Sequence, residues 1–166
     1  MEKEILIRPL SNAYSKQVVD LILPIQQLEF NVPVTLKDQP DLLDIEKAYF
    51  TNGGHLWGGF IGGRLVGTIA IISIGHHSGA VRKMFVKKEF RGKELMIAQK
   101  LFETMATYCK ANHINDLYLG TVNMLKAAHR FYERNGFLLI EKELLPTYFP
   151  RMAADDVYYY LHLNNA

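Results

Sequence analysis

Val81-Arg82-Lys83-Met84-Phe85-Val86-Lys87-Lys88-Glu89-Phe90-Arg91-Gly92-Lys93-Glu94-Leu95-Met96 runs from an apolar strand pattern, through a basic loop, into a helix. Alternation over Val81 to Val86 puts Val81, Lys83 and Phe85 on one face and Arg82, Met84 and Val86 on the other. The helix is expected from Glu94 to about Asn112. Leu95, Ala98, Leu101, Phe102, Met105 and Tyr108 form its one-sided stripe. A strand that turns through Arg91-Gly92-Lys93 into a helix start is suited to an anion. First-turn N–H groups are free of helical partners and carry a partial positive charge.

Outward from this stretch the chain reads as one domain, residues 1–166. Upstream, Ile5-Leu6-Ile7 is a short strand stopped near Pro9. Ser11 or Asn12 can cap a helix to about Phe30, with Pro24 kinking or splitting it. Asp38 or Asp41 starts a second helix through Phe50, ended by Asn52-Gly53-Gly54. His55 to Ile61 and Leu65 to Ile74 are strands, and Gly62-Gly63 between them fits a two-residue primed turn. Gly75 and Gly79 bracket the next turn. Downstream, Leu117-Tyr118-Leu119 is a strand. Asn123 can cap a helix with Leu125, Ala128 and Tyr132 inward, stopped by Arg134-Asn135-Gly136. Phe137 to Ile140 and Val157 to Leu163 are the last strands. The order β-α-α-β-β-β-α-β-α-β-β predicts an α+β domain. Its mixed, mostly antiparallel sheet has about seven strands flanked by about four helices.

Composition narrows the function. Of 166 residues, 49% are hydrophobic and 22% charged, which suits a packed core rather than disorder. A net charge of only +2 gives no chain-wide footprint for nucleic acid. One cysteine, Cys109, excludes an internal disulfide and fits a reducing, cytoplasmic compartment; it reads as a core residue rather than a nucleophile. The longest apolar run, Leu65 to Ile74, is too short to span a bilayer. Gly62 to Gly67 has P-loop spacing, but Thr68 stands where the lysine is required. No Gly-x-Gly-x-x-Gly opens a helix. His76-His77 has no third ligand at a useful spacing, so no metal is expected.

Two segments carry a family resemblance. Asn123-Met124-Leu125-Lys126-Ala127-Ala128-His129-Arg130-Phe131-Tyr132-Glu133-Arg134-Asn135-Gly136-Phe137 resembles the GNAT superfamily of N-acetyltransferases. Met84-Phe85-Val86 followed by Arg91 is similar to that family's fourth strand and pyrophosphate loop. The resemblance implies a GNAT-like fold and acetyl-CoA as acyl donor, with a primary amine of a small molecule or peptide as acceptor. It implies that Met84, Phe85 and Val86 pair with the pantetheine arm. Arg91, Gly92, Lys93, Glu94, Leu95 and Met96 would hold the pyrophosphate, and Asn123 would bond the pantetheine. Tyr132 would protonate the departing thiolate. Glu94 and Met96 stand where the family has small residues, and they leave open a second reading, an acyl-CoA-binding or regulatory domain without catalysis.

A phenol of ordinary pKa about 10 holds its proton at neutral pH, and a thiolate of pKa about 8.5 is a suitable recipient. An amine of pKa about 10 must lose a proton, at a cost of about 4 kcal/mol. Glu29 and His76, with His77 beside it, are the candidate bases. Glu29 to Asp41 and Leu144 to Arg151, with Tyr148 and Phe149, are the expected acceptor contacts. The last strands offer an edge for a homodimer.

Overall fold

The computed structural model describes residues 4–92, 95–123 and 125–163. Seven strands form one sheet in the order β1-β2-β3-β4-β5-β7-β6. They are β1 Ile5–Pro9, β2 His55–Ile61, β3 Arg64–Gly75, β4 Ser78–Val86, β5 Asp116–Thr121, β6 Leu138–Leu139 and β7 Val157–His162. The helices are α1 Ser15–Pro24, α2 Ile45–Ala48, α3 Ile97–Ala111 and α4 Lys126–Arg134. The mixed sheet is as expected. Gly62 and Gly63, at φ 56° and 78°, close the β2–β3 hairpin, a turn that two side-chain-bearing residues would strain.

Helices cover both faces. On one, α3 and α4 lay Ile97, Leu101, Phe102, Met105, Phe131 and Tyr132 against Val66, Ile69, Ile71, Val81, Leu117 and Leu119. On the other, α1 and the segment through α2 lay Val18, Leu21, Ile22, Leu42, Ile45 and Tyr49 against Leu56, Phe60, Leu65 and Ala70. Cys109 is buried in the first core, and burial pushes its thiol up to about 12, so it packs and does not react.

As expected, the first helix is split at Pro24, which cannot donate a helical hydrogen bond, and it continues as a π turn over Ile25–Glu29. Three local expectations need correction. The second helix is a series of short turns, 3-10 at Leu36–Asp38 and Pro40–Leu43 before α2, because Pro40 and an Asp44 cap interrupt it. α3 begins at Ile97 rather than Glu94, since Met96 is left-handed at φ 53°. Asn123 does not cap α4, whose N-cap position is Leu125. Only one of the two crossovers gives a parallel pair, β4 with β5; β7 intervenes between β5 and β6. Among the described residues no helix is long and apolar enough to cross a membrane.

Candidate active site

β4 and β5 pair only at their starts, Ser78, Gly79 and Ala80 with Asp116, Leu117 and Tyr118. Beyond that point they separate. Residues 81–86 keep their bonds to β3 but lack a strand on the side facing residues 119–121. An unpaired backbone edge inside a sheet is a docking rail for an extended, amide-bearing chain. Met84, Phe85 and Val86 lie along it. Arg91 Nε bonds the Val86 carbonyl at 2.8 Å.

A β-bulge shapes this rail. Thr68 pairs with Phe85 and Ala70 with Arg82, so Ile69 stands opposite two residues, Lys83 and Met84. Lys83 is left-handed at φ 51°, and the Thr68 hydroxyl donates to its carbonyl at 2.7 Å. The extra residue breaks the strict alternation expected for this strand. Val81, Met84 and Val86 face α3 and α4. Arg82, Lys83 and Phe85 face the other way: Arg82 lies over Phe149, Lys83 bonds Gln39, and Phe85 joins the α1 core.

At one end of the opening is the loop into α3. Among the described residues no side chain caps this helix, which leaves its first-turn N–H groups open to an anion. Gly92, Leu95 and Met96 lie here, with Met96 49% exposed; Lys93 and Glu94 fall outside the described residues. Arg91 is already occupied. Its guanidinium makes a two-pronged ion pair with Glu29 on the π turn, one bond being 2.8 Å, and lies over the Phe30 ring. Glu29, read as a candidate base, is thus drawn to the anion loop, where it offsets the Arg91 charge. Among the described residues of the loop, what remains for an anion is chiefly backbone donors.

Tyr132 sits on the α4 side, 8% exposed, packed with Phe131, Phe137 and Tyr159. Burial, then the Asp155 carboxylate, raises its pKa, so the phenol is a proton donor at neutral pH. Asn123 is exposed. Its N–H donates to Asp156 at 2.9 Å, and its side-chain oxygen accepts from Lys126 at 2.7 Å. His76 is not brought to the opening. With His77 it forms the β3–β4 turn, both at φ 56°, and its ring stacks on Tyr148 at 4.1 Å. It lies seven positions before Lys83, roughly 23 Å along an extended chain.

The opposite mouth holds residues not anticipated from sequence. Lys83, 11% exposed in its side chain, bonds Gln39 and lies 3.6 Å from Asp41, which also accepts from the Tyr49 hydroxyl. Desolvation lowers the Lys83 pKa, with Asp41 opposing. Arg82 donates to the Pro150 carbonyl at 2.6 Å. Asp155, from the β6–β7 loop, lies over Gly120 of β5, where an added Cβ would collide with its carboxylate. Burial raises the Asp155 pKa, with Arg82 opposing first. Among the described residues no group of three or more metal-ligating side chains occurs. A surface concavity between Leu6, Ile61, Arg64 and Phe90 contains none of these residues.

Comparison with known proteins identifies the family. Residues 19–137 match the family model described as Acetyltransferase (GNAT) family. A probable N-acetyltransferase, camello, of Xenopus tropicalis is 30% identical over 72% of this chain, which spans 55% of that protein. An N-acetylaspartate synthetase of the same organism is 32% identical over 64% of this chain and 40% of its own. The chain thus spans about half the length of the curated relatives it matches. The crystal structure of a GNAT-family acetyltransferase from Staphylococcus aureus Mu50 superposes with a TM-score of 0.93 at 36% identity, covering 97% of this chain and 100% of that one. A Thermoplasma acidophilum N-acetyltransferase solved with coenzyme A shares the fold, at TM-score 0.70 and 16% identity over 96% and 99%. With a parted β4–β5 pair, an uncapped α3 and a match over most of its length, this chain belongs to the GNAT family of acetyltransferases.

Proposed function

We propose that this protein is an acetyl-CoA-dependent N-acetyltransferase. It would move an acetyl group by direct transfer to a primary amine of a small molecule or peptide. The observation that carries this reading is the parting of β4 and β5, beside the apolar core that includes Tyr132. The backbone of Met84 to Val86 would hold the pantetheine arm. The loop amides from Gly92 to Met96 and the start of α3 would hold the pyrophosphate, Lys93 and Glu94 included. Arg91 shapes that loop through Val86 and Glu29. Asn123, just before α4, would hydrogen-bond the pantetheine. Tyr132, whose raised pKa keeps the phenol protonated at neutral pH, would give its proton to the departing sulfur.

The acceptor enters from the face of Arg82, Lys83, Tyr118 and Phe149. The name of one relative, N-acetylaspartate synthetase, makes L-aspartate a first amine to test. A cytoplasmic location belongs to this reading and is supported by the single, buried, free cysteine. The second reading, acyl-CoA binding without catalysis, draws on the Arg91–Glu29 pair, which leaves no arginine fork free at the loop.

Thiol release separates the two. Acetyl-CoA is incubated with a panel of amines, and free thiol is followed. Amine-dependent release supports the transferase. Binding of acetyl-CoA without release from any amine favours the second reading.

A further inference from the structure

Within this reading of the protein as an acetyltransferase, the geometry points to Asp155 as the general base that takes the proton from the acceptor ammonium. Three observations converge. Asp155 reaches over Gly120, one of the β5 residues that border the opening, and only glycine leaves room for its carboxylate there. Its backbone is held, the N–H donating to Met152 at 3.1 Å and the carbonyl accepting from the Tyr158 hydroxyl at 3.1 Å. Its carboxylate accepts no hydrogen bond among the described residues, although it is largely removed from water. A carboxylate on a held backbone, with open lone pairs beside a substrate channel, can receive a cation.

The charged and titratable neighbours are arranged for this task. From β4 come Arg82 and Lys83, from the same loop Asp156, from α4 Tyr132 and from β7 Tyr158. Lys83 is countered by Asp41, and the Arg82 fork is turned to Pro150, so neither is within ion-pair distance of Asp155. Burial raises the Asp155 pKa from its ordinary value, with Arg82 opposing, and so brings it nearer that of an amine. Glycine at 120 admits the Asp155 carboxylate, and the bulge turns Lys83 away from α3 and α4.

The proton balance closes. Asp155 takes one proton from the ammonium, and the freed nitrogen attacks the acetyl carbonyl carbon. The C–N bond forms and the C–S bond breaks, with the electron pair leaving on sulfur. Tyr132 gives its proton to that sulfur and regains one from the nitrogen as the amide forms. Asp155 returns its proton to solvent.

The test uses the full chain, acetyl-CoA, and a panel of L-amino acids including L-aspartate, with ethanolamine and putrescine. With the best acceptor, Asp155→Asn is expected to lower kcat/KM by about 10²-fold or more. Acetyl-CoA affinity should stay within about threefold. The acid limb of the wild-type kcat/KM profile should disappear. Asp155→Glu keeps a carboxylate and should recover about tenfold over the Asn variant, with the acid limb present. Wild-type turnover with an unimpaired Asp155→Asn overturns the inference alone, as does equal activity of the Glu and Asn variants with both still binding acetyl-CoA. No thiol release by the wild-type chain with any of these amines overturns the transferase reading and this inference together.

Discussion

The two faces of the β4–β5 opening are built from one strand and share little chemistry. Toward α3 and α4, Val81, Met84 and Val86 meet Leu119 and Tyr132 in a continuous apolar core. Toward the β6–β7 loop, Arg82 and Lys83 meet Asp41, Gln39 and Asp155. A strictly alternating strand would have split Arg82 from Lys83. The bulge at Lys83 puts both on one side and restores Met84 to the other. A single inserted residue therefore separates a dry face, suited to protonating sulfur, from a charged face, suited to handling an amine.

The largest expected effect breaks the dry face. Tyr132→Phe removes the phenolic proton and leaves the ring packing among Phe131, Phe137 and Tyr159. We expect kcat to fall about 10²-fold with acetyl-CoA affinity unchanged, as read by stopped-flow thiol detection and calorimetry. An unchanged kcat would remove Tyr132 from the chemistry.

Next comes the charged face. Lys83→Met leaves Asp41 with the Tyr49 hydroxyl but no cation. Full loss of a buried partner costs 3–5 kcal/mol in general. The Asp41 side chain is 26% exposed, so about 2 kcal/mol is expected, measured as a urea midpoint shift. A shift near zero would mean that water already screens the pair.

A smaller effect lies where the faces meet the anion loop. Met96 is left-handed and half exposed. Met96→Gly should stabilise the fold by up to about 1 kcal/mol, since glycine adopts this conformation without a Cβ clash. Chemical denaturation is the measure, and a destabilised variant would contradict the strain.

The smallest expected effect has an informative sign. The Asp155 pKa is raised in the fold, so the folded state holds this proton more tightly than the unfolded chain. Its ionised form therefore opposes folding at pH 7. Asp155→Asn should be more stable than wild type at pH 7. Wild type should gain on it as pH falls through the raised folded value toward the ordinary carboxylate range. Thermal melts at both ends of that window check the crossing; a variant less stable at pH 7 would reverse the argument.

These regions also differ in how well the sequence announces them. The dry face is written in periodicity. The α3 stripe, the Gly62-Gly63 hairpin and the stop at Arg134-Asn135-Gly136 are all local patterns, and each forms as expected. The charged face is written in long-range contacts. A bulge violates period two, and Val81 to Val86 contains no glycine or proline to signal one. Asp155 lies 35 positions from Gly120 and sits in a polar loop that reads as solvated surface. The Glu29–Arg91 pair spans 62 positions. His76 looked attractive because it precedes β4, yet a strand directs its two ends apart by its full length. The α3 start moved from Glu94 to Ile97 because charge at the first turn is a weaker determinant than the backbone conformation of Met96.

The central claim is that the opening between β4 and β5, with the α3 start at its end, receives acetyl-CoA. Calorimetric titration of the full chain with acetyl-CoA tests it most directly. The account predicts one site per chain with micromolar affinity, preserved in Tyr132→Phe and Asp155→Asn. No heat of binding at millimolar acetyl-CoA would contradict it.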